Sequence, residues 1–264
     1  TNVKFKGPTG GYNDITGTVI YDAGGVIVAG NSFPYSCYAD VTSIVTGLAN
    51  NLGTYTIGNI STARGETGDF DPSNNTGYSA GWSLYIVYED PTLPGKSITS
   101  FDGFSAISLA DNPNLDIPVS GFRTVPVPLP VRANFAFAAL EGDSPIVGDQ
   151  LLINGVNMST ADRLANNFFD SSVTQLSALP VDNRNPNSTN TLGFDTGVMA
   201  VPNPGNSVIS NDTNNATISL NTAGDTYFVY FTALAVDIIE PNIVLTKIVL
   251  DEFGVNIGGQ VVEL

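Results

Sequence analysis

Apolar and polar positions alternate along most of this chain with a period of two, and Gly, Pro, Asn or Asp interrupts the alternation every ~8 to 15 residues. Successive side chains of a strand point to opposite faces, so the pattern predicts half-buried β-strands rather than helices. The predicted strands are 15–23 (ITGTVIYDA), 25–30, 53–60, 82–89 (WSLYIVYE) and 97–109, then 132–141 (RANFAFAALE), 149–155, 167–174, 191–201, 216–222 and 226–238. Short strands at this spacing, joined by turn chemistry, read as sandwiches and jelly rolls, not as βαβ units. The one helical stretch is 38–51, where Asp40 is placed to cap and Val41, Ile44, Val45 and Leu48 fall on one face. A turn or two of helix is expected there.

Within 82–89 the alternation sets Trp82, Leu84, Ile86 and Tyr88 on one face, with Ser83, Tyr85 and Val87 on the other. An apolar face of this kind is a core face, so 82–103 reads as a central hairpin. A second stretch, 133–155, has the same layout: an alternating strand, an acidic pair, a loop with Pro and Gly, and another strand. Between the two, prolines from Pro118 to Pro130 lack the N–H that a central ladder requires, so this stretch is a connector or an edge segment. A chain of 264 residues can bury one large core or two medium ones. The resulting expectation is an all-β protein of two jelly-roll or immunoglobulin-like antiparallel β-sandwich lobes, 1–125 and 126–240. A C-terminal strand segment over 241–264 follows them.

Composition changes this picture mainly by exclusion. The chain has 27 glycines and 16 prolines but few charges, and acidic residues outnumber basic ones 25 to 9, for a net charge of -16. Nucleic-acid binding requires clustered Lys and Arg, and here they are scattered from Lys4 to Lys247. An anionic membrane surface is excluded on the same ground, and no apolar run reaches the ~20 residues of a spanning helix. Without an initiator Met or signal peptide, Thr1 reads as a processed or excised start.

The chain contains no histidine. That removes the usual serine triad, most zinc sites and the common haem ligand. Cys37 is the single cysteine; it has no internal disulfide partner and reads as a small buried hydrophobe. Glu89 with Asp90, and Glu141 with Asp143, are the acid pairs a glycoside hydrolase would need ~5 to 10 Å apart. Neighbours on a strand point to opposite faces, however, and Asp90 before Pro91 is ordinary turn chemistry. No catalytic residue is assigned.

One cation is a candidate. Calcium takes oxygen ligands from carboxylates, amides and main-chain carbonyls. The stretch GETGDFDPSNNTGY (65–78) offers Asp69, Asp71 and Asn74 without the full EF-hand pattern, and EGDSPIVGD (141–149) is a weaker second. Calcium is expected to raise the melting temperature, and a thermal scan unchanged by chelator counts against the site.

The phrases YSCYADVTSIV, TYTIGNI, AGWSLYIVYEDPTLPGKSITSFDGF, LEGDSPIVGDQLLING, NNFFDSSVT and GDTYFVYFTALAVDIIEPNIVLTKIVLDEFG occur in this order from about residue 35 onward. Together they resemble the large non-catalytic modules of bacterial cell-surface adhesins, in particular the gliding-motility-associated adhesins of Bacteroidetes exported by type IX secretion. The resemblance implies an extracellular, cell-surface location. It implies as partners neighbouring domains or subunits of the same surface protein, glycans or abiotic surfaces. It also implies that EPNIVLTKIVLDEFG opens a following immunoglobulin-like repeat, which 258–264 leaves unfinished. A lone strand is unstable by itself. The segment carrying Ile243, Leu245, Ile248 and Leu250 is therefore expected to lead into that repeat or to be donated to a neighbour. Donation would make the chain a filament subunit, the first rival to an adhesive module; a carbohydrate-binding module and a hydrolase are the others.

Overall fold

The computed structural model describes residues 2–24, 34–62, 79–176, 185, 188–239, 250 and 253–255. The expected strand 25–30 and the carbonyl-rich loop 65–78 lie outside the described residues. The described part is all-β with antiparallel sheets, as the alternation predicts.

The strands are β1 (Asn2–Lys6), β2 (Asn13–Thr16), β3 (Thr18–Asp22), β4 (Tyr35–Tyr38), β5 (Thr56–Gly58), β6 (Lys96–Ile107) and β7 (Asn114–Ser120). After them come β8 (Ala133–Leu140), β9 (Gln150–Ile153), β10 (Val156–Asn157), β11 (Val173–Thr174), β12 (Phe194–Ala200), β13 (Asn215–Asn221) and β14 (Tyr227–Asp237). The helix α1 spans Thr42–Thr46; its N-cap is Val41, which makes no side-chain cap bond, and the expected cap Asp40 lies one residue earlier, where its carboxylate accepts the Thr42 N–H at 2.8 Å.

Two sheets carry the core. One has the order β11-β12-β8-β14-β6, with β11 parallel to β12 and the other pairs antiparallel. The second is antiparallel throughout, with the order β10-β9-β13-β7. Phe135 and Phe137 of β8, Leu151 and Ile153 of β9, Ile218 and Leu220 of β13, and Leu234 of β14 belong to one buried cluster, so both sheets contribute to the same core. Strands from the two expected blocks meet here: β6 and β7, which precede residue 125, pair with β14 and β13, which follow it. Pro118 is tolerated because β7 is an edge strand.

The core face of β14 changes parity along its length. Tyr227 and Val229 point into the cluster, and so do Leu234 and Val236. The switch is made by a register shift between Val229 and Phe231, which inserts one residue and keeps apolar side chains inward on both sides of it. The same shift turns Phe231 to the outer face. That outer face is covered, since Ala138, Phe228 and Ala233 are buried there. Tyr21 of β3 stacks on Phe104 of β6 at 4.4 Å between ring centroids, and Phe104 stacks on Phe228 at 5.5 Å.

At the N-terminal end, β2-β1-β5 form a small sheet, with Phe5 buried against Tyr55 at 6.0 Å, and β3-β4 form a hairpin. Cys37 sits in β4 opposite Val19 and is half-buried, so it is less enclosed than the small-hydrophobe reading expects.

A lattice of asparagine amides fastens the 203–213 loop to the proline-rich stretch. Asn203 donates to Val131 O and Ile209 O and accepts from Val208 N and Ile209 N, at 2.8 to 3.0 Å. Asn206 accepts from Val131 N at 2.9 Å, and Asn211 donates to Val125 O and Leu129 O at 2.9 and 2.8 Å. Proline leaves carbonyls in this stretch without ladder partners, and the side-chain amides supply the missing donors.

Candidate functional site

Residues 79–95 occupy a different place from the one their sequence pattern predicts. No strand forms over 82–89, and β6, the expected second strand of that hairpin, pairs with β14 over ten residue pairs instead.

The first half of the segment instead packs against the outer face. Ser83 Oγ is 2.8 Å from Tyr230 Oη, and the Tyr85 ring is 4.8 Å from that of Phe231. Gly81 fits against the Phe194 ring, where an added Cβ would come within 2.1 Å. Ser79 Oγ donates to Glu141 Oε2 at 3.2 Å, tying the start of the segment to the end of β8. At the far end the Asp90 carboxylate accepts from Thr92 N and Thr92 Oγ1 at 2.9 and 2.7 Å, which holds Asp90 below the usual carboxylate range and closes the turn. Beside the segment a cleft of about 180 Å³ is lined by Ser83, Leu84, Tyr85, Thr196, Val198 and Phe231.

The expected core face Trp82-Leu84-Ile86-Tyr88 is therefore not a core face. Ile86 is 48% exposed and Tyr88 71%, together with Val87 at 60%. The reason is topological: the sheet's inner face is filled from the opposite sheet, and only its outer face remained for this segment.

A second cluster closes one end of the core. Arg163 is 1% exposed and donates from Nη1 to Asp195 Oδ1 at 2.9 Å and to Phe168 O at 2.6 Å. Its Nη2 donates to Ser172 O at 2.6 Å and its Nε to Thr174 Oγ1 at 3.1 Å. The guanidinium lies 4.8 Å from the Phe137 ring centroid, and Asp170 Oδ1 sits 3.3 Å from Nη1. Three buried aspartates then fasten three loops. Asp195 accepts from Ser171 N and Ser172 N at 3.0 and 3.1 Å. Asp149 accepts from Phe168 N and Phe169 N at 2.7 and 2.8 Å. Asp225 accepts from Asp143 N and Thr226 N at 2.9 and 2.7 Å.

Burial sets the electrostatics of this end. Desolvation pushes Asp225 up to about 8, with the neighbouring charges of Asp143 and Asp149 adding to the rise against its two N–H donors. Desolvation likewise pushes Asp149 up to about 6, and Asp195 to about 6 despite the lowering pull of Arg163. In each case both carboxylate oxygens face main-chain or guanidinium donors. The arrangement binds loops to the core.

Of the residues singled out from sequence, Asp69, Asp71 and Asn74 lie outside the described residues, and so do Ile243, Leu245 and Ile248. Leu250 is described and 49% exposed. Among the described residues no group of three or more His, Cys, Asp or Glu is placed to hold a metal ion. In the 141–149 stretch, Asp149 is taken up by Phe168 and Phe169, and Asp143 contributes its N–H to Asp225. Sequence reasoning passed over Arg163, Asp195 and Asp225. The available signal was an acid at an inward position of an alternating strand, as in GFDTGVMA, where Asp195 shares a face with Gly197 and Met199.

No family model, no curated protein and no solved structure matches this chain.

Proposed function

We propose that this chain is a non-catalytic structural and adhesive module of a bacterial cell-surface protein, acting outside the cell. In its finer architecture, the two large sheets are one jelly-roll- or immunoglobulin-like sandwich lobe and the N-terminal strands belong to a smaller companion. One observation carries the reading: the buried acids Asp149, Asp195 and Asp225 face main-chain N–H groups of the 141–149 and 160–172 loops. Loops fixed in this way to a single core are held at a constant position, which suits a module that presents its rim to a surface. The resemblance of its phrases to gliding-motility-associated adhesins points the same way, with glycans, abiotic surfaces or neighbouring subunits as the things touched.

The test is retention under flow. Beads coated with the purified protein are expected to stay on glycan-coated or bare glass surfaces at shear that removes beads coated with an unrelated globular protein of equal net charge. Equal retention of the two on every surface tried rejects the adhesive reading.

A further inference from the structure

We infer that the Asn154–Gly155 turn is a deamidation site that the fold holds in check, and that its reaction unfastens the 203–213 loop from the β9–β10 hairpin. It is the one Asn-Gly pair in the chain, and glycine, having no Cβ, leaves its own nitrogen open to the preceding side chain. The pair forms the two-residue connection between β9 and β10, with φ of 51° at Asn154 and 76° at Gly155. Both lie in the left-handed region, as a type I′ turn requires.

Deamidation begins when base removes the Gly155 amide proton. The nitrogen then attacks Asn154 Cγ, the new C–N bond closes a succinimide ring, and Nδ2 takes up a proton and leaves as ammonia. Water opens the ring at either carbonyl to aspartate or isoaspartate, so one water enters and one ammonia departs. The attack needs Cγ free to swing over the Gly155 nitrogen, and here the side chain is tethered on both sides. Asn154 Nδ2 donates to Val208 O at 2.7 Å, and Oδ1 accepts from Thr217 N at 2.8 Å. Asn154 N also donates to Thr217 O at 2.8 Å. The amide thus bridges β13 and the 203–213 loop, and the bridge opens before the ring can close. Neither product restores it. A carboxylate has no N–H for Val208 O and sets negative charge against that carbonyl. Isoaspartate also routes the main chain through Cβ, which lengthens the turn and disturbs the pairing of Val156 with Ile153. Val208 and Ile209, on the loop this amide holds, are both buried. The inference does not depend on the adhesive reading, and either can fail alone.

Peptide mapping by mass spectrometry tests it on the whole chain, aged in mildly alkaline buffer with and without a denaturing concentration of urea. Asn154 is expected to be the first asparagine to react in the unfolded chain, and to react roughly tenfold or more slowly in the folded one. Asn154→Asp reproduces one product at a φ that aspartate tolerates, and is expected to lower the melting temperature by roughly 2–4 °C. Asn157→Asp adds the same charge at an exposed position of the same hairpin and is expected to leave the melting temperature unchanged. Equal rates in the folded and unfolded chain overturn the proposal, as does earlier reaction of another asparagine in urea. An Asn154→Asp chain that melts with the wild type, or no lower than Asn157→Asp, overturns the unfastening.

Discussion

Replacing Arg163 by Met is expected to lower unfolding free energy by about 3–5 kcal/mol at about pH 7.5, the range seen when one partner of a buried ion pair is removed. For a chain of this size that is a fall of roughly 10 °C in melting temperature. Asp195 is 0% exposed, and without the guanidinium it faces only the Ser171 and Ser172 N–H groups. The carbonyls of Phe168 and Ser172 also lose their donor, so the 160–172 loop loosens along with the charge. Met keeps much of the packing against Phe137 and Phe168, so the loss reports charge and hydrogen bonding rather than an emptied cavity. Urea unfolding measures it, and two further readings separate this account from simple loss of packing. Adding Asp195→Asn to Arg163→Met is expected to recover part of the loss, since the orphaned charge is gone. The loss is also expected to shrink toward about pH 5, because Asp195, already displaced upward by burial, then takes up a proton. A loss below about 1 kcal/mol, or one independent of pH, rejects the ion-pair account.

Raising the pH from about 4 to about 8.5 is expected to destabilise the wild-type protein by on the order of 3–6 kcal/mol. Asp225, Asp149 and Asp195 all hold protons more tightly folded than unfolded, because burial penalises their charged forms. Their contribution is complete below the unfolded carboxylate range near about pH 4. It is lost as the pH climbs through about 6 for Asp149 and Asp195, and through about 8 for Asp225. Asp225 dominates the upper part of the window. It is faced by Asp143 and Asp149 from the loop between β8 and β9 and by Tyr227 from β14, none of which offers it a positive charge. The net charge of -16 acts in the same direction, since self-repulsion grows as carboxylates ionise. Urea midpoints across this range are expected to fall with rising pH, and Asp225→Asn to flatten the profile above about pH 6. Midpoints that rise or stay level across the window reject the assignment.

The two predictions meet at Asp195, which shows how a residue can be visible in sequence and still unreadable. GFDTGVMA displays an acid on the inward parity of a strand, which is anomalous in an apolar face, yet its partner Arg163 lies 32 residues earlier in a loop with no pattern of its own. Nothing local announces that the two meet.

Several features were fixed by nearest neighbours along the chain. The inward set Ala133, Phe135, Phe137 and Ala139 follows from the period of two. The turn at Asp90 follows from local side-chain hydrogen bonds. The edge position of the Pro118 strand follows from its missing N–H, and the all-β class from composition and alternation together. What only the tertiary structure decided was which strands won which partners. Residues 82–89 have the pattern of a central strand, yet they join no ladder among the described residues, and Ser83 and Tyr85 pack instead on Tyr230 and Phe231. The parity switch in β14 and the loop-fastening role of the buried aspartates were decided in the same way. In each case the energy lies in contacts between residues far apart in sequence, where competing partners settle the outcome and no single segment contains the answer.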